Sequence, residues 1–75
     1  MKKSELKEYL ELGGCFTIEV DNIPFKDILS LVEATQKGKG QITLLRTERL
    51  FKGEIETLCS TAPGRVHFPD KPLED

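Results

Sequence analysis

Residues 37–45 read KGKGQITLL, and the strand that closes this stretch decides the fold. Ile42 and Leu44 alternate with Gln41 and Thr43, a period of two with one apolar and one polar row. A parallel strand covered on both faces reads as a near-continuous apolar run. This one does not, so only one of its faces is expected to be covered. The KGKG before it has the composition of a phosphate loop but not the position. Phosphate loops lie between a strand and the start of the next helix, where free N–H groups and the positive dipole end face the anion. KGKG lies between a helix and a strand and lacks the G-x-x-x-x-G-K-[ST] spacing. It reads as a turn whose glycines stop the helix and whose lysines suit the negative dipole end.

Upstream, a helix is expected from near Pro24, with Asp21 and Asn22 before it. Phe25, Ile28, Leu29 and Val32 fall at i, i+3, i+4, i+7, Leu31 widens the stripe, and Gly38 is the stop. A strand precedes it over Cys15 to Val20: Phe16, Ile18 and Val20 alternate with Cys15, Thr17 and Glu19. Before that, a helix from about Glu5 to Leu12 buries Leu6, Tyr9 and Leu10, with Ser4 as N-cap and Gly13-Gly14 as terminator. Downstream, RTERLFKG is a charged connection. Gly53 to Ala62 reads as a helix with Ile55, Leu58, Cys59 and Ala62 on its apolar face and Phe51 as an anchor. Pro63-Gly64 ends it, and Arg65 to Phe68 forms a third strand with Val66 and Phe68 inward, Arg65 and His67 outward. Residues 1–69 are expected to make one small domain. Residues 70–75, with two prolines in the PDKPLED end, read as a disordered tail.

The unit of amphipathic helix, glycine turn and short alternating strand occurs three times. The second and third copies align best: Phe25-Lys26 with Phe51-Lys52, Leu29 with Ile55, Val32 with Leu58, Gly38 with Gly64, Ile42 with Val66. The second turn is longer than the third by Lys39-Gly40. Such internal repetition suggests stacked αβ units. The period is similar to that of leucine-rich repeats, but L-x-x-L-x-L-x-x-N is absent. The segment from Leu29 to Phe68 also resembles the later half of a sulfate-transporter and anti-sigma-antagonist domain in its order of helix, glycine turn, strand and helix. That family's Asp-Ser-x-Gly motif is replaced here by Asp21-Asn22-Ile23-Pro24. No site residue carries over from either family.

Helices alternating with strands call for parallel pairing through crossover helices. Right-handed crossovers to one face add strands in one direction. The expected fold is therefore an α/β slab of three (αβ) units: three short parallel strands in order 1-2-3, three helices on one face, the other face open. On that face Thr17, Thr43 and His67 form one row, Cys15, Gln41 and Arg65 another, with Glu19 at the next level.

The composition limits what such a slab does. Formal net charge is −2 over 75 residues, which gives no global pull toward nucleic acid or an anionic membrane. The start, MKKSELKEYLELGG, is too interrupted by charge for a secretory signal or a membrane span, so a cytoplasmic location is expected. Cys15 and Cys59 form no C-x-x-C and read as free thiols, Cys59 as a small core residue. With one histidine they make a poor zinc site, and neither metal nor cofactor is expected. His67 has no nucleophile and carboxylate set around it, so no enzyme activity is expected. The reading reached is a protein–protein interaction module that uses Thr17, Glu19, Gln41, Thr43, Arg65 and His67 and the free sheet edges, by binding a partner or by self-association. The alternative is anion or nucleic-acid binding beyond the carboxyl end of the second strand, through Arg46, Thr47, Arg49 and Lys52. Five basic residues and one acid lie in 37–52.

Overall fold

The alternating rows become a parallel sheet in order β1-β2-β3, with β1 at Cys15–Glu19, β2 at Gln41–Leu45 and β3 at Val66–His67. The structure is a computed structural model and describes residues 2–70. The helices are α1 (Lys3–Glu11), α2 (Phe25–Gly38) and α3 (Lys52–Thr61). Register puts Cys15 beside Gln41 and Thr17 beside Thr43, then Ile42 beside Val66 and Thr43 beside His67. The rows expected from alternation are thus laid across all three strands.

One face of the sheet carries the core. Ile42, Leu44 and Val20 are buried there, under Ile28, Leu31, Val32 and Ala34 of α2 and Leu6 and Leu10 of α1. Phe16, Ile18, Ile55, Val66 and Phe68 pack around that centre half-buried. The slab measures 37 × 24 × 17 Å, so its core is one side-chain layer thick. Burial at this scale leaves a narrow stability margin.

α1 and α2 lie side by side and parallel, an arrangement their charges support. α1 starts with lysines and ends with glutamates, which opposes its own dipole. α2 carries Asp27 in its first turn and Lys37 in its last. The two patterns pair: Lys3 Nζ lies 2.8 Å from Asp27 Oδ1 and Lys37 Nζ 3.4 Å from Glu11 Oε1. Gly13, with φ of 96°, and Gly14 end α1 by donating to Leu10 and Tyr9 carbonyls at 3.0 and 2.9 Å. This is a Schellman closure.

KGKG is a turn, but its residues have different tasks from those expected. Gly38 is still helical, and it is Lys39 that turns left-handed, with φ of 61°. The glycines serve close approach instead. A Cβ at Gly38 would overlap the carbonyls of Leu10 and Glu11, and one at Gly40 the carbonyl of Gly14. The end of α1 and the end of α2 therefore meet backbone to backbone.

Other expectations need correction. Ser4 does not cap α1; it sits inside the helix, which starts two residues earlier than expected with Lys2 as N-cap, where Lys3 pairs with Asp27. Tyr9 is half-exposed rather than buried, its ring stacked on Phe16 at 6.2 Å. Cys59 is exposed, and Phe51 is 75% exposed at the N-cap of α3 in extended backbone. Phe51 anchors the helix through its backbone: its N–H donates to Glu54 Oε1 at 2.9 Å and its carbonyl accepts from the Ile55 N–H at 3.0 Å. The first strand stops at Glu19 and the third spans only Val66–His67. Of the expected tail, Asp70 is described, its carboxylate accepting from the Arg46 N–H at 2.6 Å. Residues 71–75 lie outside the described residues.

Candidate functional site: the open sheet face

Every strand sends its polar row to the side without helices. Cys15, Thr17 and Glu19 of β1, Gln41 of β2 and His67 of β3 are exposed; Thr43 and Arg65 are half-buried. Parallel neighbours lie about 4.8 Å apart. A lateral row such as Thr17–Thr43–His67 is therefore a ladder of side chains with strand spacing. A shallow depression runs across it, lined by Cys15, Thr17, Gln41, Thr43, His67 and Pro69.

The face is partly organised by its own hydrogen bonds. His67 Nε2 lies 2.7 Å from Gln41 Oε1, so the imidazole N–H donates to the amide oxygen diagonally across β2 and β3. Arg65 takes a different part from the one expected. Its guanidinium donates to Lys39 O at 2.7 Å and to Gly40 O at 3.4 Å. Those are the extra residues of the second turn, so Arg65 satisfies the carbonyls the insertion leaves over. At the other end of the strands Glu19 Oε2 accepts from Arg46 Nε at 2.9 Å. That hydrogen bond, then the charge of Glu19, holds the Arg46 guanidinium above its ordinary pKa. Arg46 sits at φ of 58°, fixed by Glu19 on its side chain and Asp70 on its N–H.

The basic loop after β2 is less available than its sequence implies. Arg49 points back to the turn after β1, where it donates to Val20 O and Ile23 O. Thr47 is fully buried, which removes it from any surface contact. Its hydroxyl has no hydrogen-bond partner among the described residues. Lys52, exposed, opens α3. Among the described residues no group of His, Cys, Asp and Glu is placed to hold a metal ion. None of their helices is long and apolar enough to cross a membrane.

One feature has no counterpart in the expected site. Beside β1 lies an apolar fringe: Leu12, 82% exposed, Tyr9 on Phe16, and a groove lined by Leu6, Ile18, Ile23 and Pro24. Tyr9 and Leu12 are three residues apart, one helical step, and that spacing in the sequence was the available signal. No family model matches the chain, and no curated protein or solved structure matches it.

Proposed function

We propose that this chain is a small non-enzymatic protein–protein interaction module of the cytoplasm. Its contact surface is the polar sheet face of Thr17, Glu19, Gln41, Thr43 and His67, together with the free sheet edges. One observation carries the reading: three strands present their polar rows in register on a side that no described element covers. Sheet edges with unpaired N–H and C=O groups favour capture of another strand. Arg65, in the row beside Gln41, is half-buried with its head committed to the Lys39–Gly40 turn.

Thr43 is the position to test, because it is central, on the middle strand and remote from either edge. Thr43→Lys should abolish capture of partners from an extract of the source cells while circular dichroism stays unchanged. Equal capture by the folded variant and the parent would rule out the face as the contact surface.

The reading of 46–52 as an anion or nucleic-acid site has weaker support. Arg46 already pairs with Glu19, and Arg49 with two carbonyls. Only Lys52 keeps a head without an ion pair or hydrogen bond among the described residues.

A further inference from the structure

The two ends of the slab differ. At the β3 end the strand is two residues long, Pro69 comes soon after, and the neighbouring depression on α3 is lined by Gly53, Glu56, Thr57, Ser60 and Thr61. At the β1 end the strand is five residues long and carries Phe16 and Ile18, with Tyr9 and Leu12 of the preceding segment exposed nearby. It contains no proline or lysine, and its one charged residue, Glu19, is paired with Arg46.

The backbone of β1 shows which groups are unpaired. Val20 N–H donates to Leu45 O, and Gly14 O accepts from Gln41 N–H. Bonding direction alternates along a strand. Phe16 and Ile18 therefore face β2, and the N–H and C=O of Cys15, Thr17 and Glu19 point away from the sheet.

We infer that β1 pairs antiparallel with β1 of a second copy of this chain, about a two-fold axis at Thr17. The inference rests on the interaction-module reading and names the occupant of one edge. Thr17 then lies opposite the partner's Thr17, exchanging both backbone bonds, and Cys15 does the same with the partner's Glu19. Phe16 and the partner's Ile18 meet at the closer, non-hydrogen-bonded position on the helix side. Thr–Thr and aromatic–β-branched pairs are both favourable across strands. No like charges oppose each other.

The helices agree with this register. The same axis sets α1 antiparallel to its copy, so that Lys2 at one end approaches Glu8 at the other, while Lys3 and Glu11 keep their pairs with Asp27 and Lys37. Tyr9 lies on the β1 side of its helix, and with Leu12 it is covered by the copy. Such an isologous contact closes after two chains. It joins two three-stranded sheets into one and keeps both polar faces on the same side.

Sedimentation velocity across concentration, with amide exchange followed by NMR, tests the pairing. A dimer should form as concentration rises. The amides of Cys15, Thr17 and Glu19 should become protected in step, while those of Phe16 and Ile18 are protected throughout. Thr17→Lys places like charges opposite each other, and dimer dissociation should rise about tenfold or more. Thr17→Pro, which removes an outward N–H that β2 does not use, should give a folded monomer. A chain that stays monomeric at millimolar concentration overturns the inference. So does a dimer in which the Thr17 amide exchanges as in the monomer, or one that Thr17→Lys leaves intact. Thr43→Lys separates this idea from the broader one, since it is expected to spare the dimer and remove only face-bound partners.

Discussion

At Gly38 two helix ends approach so closely that a single methyl group has no room. The site cannot yield by moving a flexible side chain, because the atoms met are backbone carbonyls of Leu10 and Glu11. Gly38→Ala should therefore destabilise the fold by about 2 kcal/mol or more, read as a lowered urea midpoint. One residue later the logic reverses. Lys39 holds a left-handed conformation that disfavours any residue with a Cβ. Lys39→Gly should raise the same midpoint, by about 0.5–1 kcal/mol in stability. Paired changes of opposite sign at neighbouring positions would show that the glycine serves packing and the lysine bears the strain.

Between elements, Arg49 ties the loop after β2 to the turn after β1. Its guanidinium donates to the carbonyl of Val20, which also accepts from the Ile23 N–H in the turn, and to the carbonyl of Ile23. Arg49→Ala leaves them without that donor and should cost about 1.5–3 kcal/mol in chemical denaturation. A phosphate-binding arginine would instead show no loss of stability on truncation. The element level is also where the sequence was most legible. Strand order followed from alternation together with crossover handedness: a period-two row lets only one side be covered, and right-handed crossovers to that side add strands in one direction. The glycine stop of α1 followed from Gly13-Gly14. The face of α3 did not. Ile55, Leu58, Cys59 and Ala62 have helical spacing, yet only Leu58 and Ala62 are buried. The reason is positional: α3 covers the end of the slab, above a strand of two residues, so Ile55 packs against the core only half-buried and Cys59 is left exposed. For the candidate site, the rows of the open face were legible and the fates of Arg46, Arg49 and Arg65 were not. Their partners are carbonyls and a carboxylate from distant segments, and an arginine bound to a carbonyl has the same letter as one bound to a ligand.

Across the whole molecule, stability is unevenly spread. α2 buries Ile28, Leu31, Val32, Ala34 and Thr35, whereas α3 buries Leu58 along its length. β1 and β2 pair over five positions and β2 and β3 over two. The α3–β3 unit should open below the global unfolding free energy. Native-state hydrogen exchange should show the amides of 55–67 exchanging before those of α2 and β2. A single shared protection level would mean that the slab unfolds as one piece.

The in-order addition of strands bears on how the chain is made. No strand is inserted between two earlier ones, so nothing already formed must part to admit a later segment. Each unit leaving the ribosome finds its template complete, because synthesis runs in the same direction as assembly. Up to Leu45 the chain holds both long strands and the two helices that bury most of the core, and α3 and β3 then dock onto a finished surface. The price of that convenience is the first edge, which is exposed from the moment β1 forms and which no later part of the described chain comes back to cover.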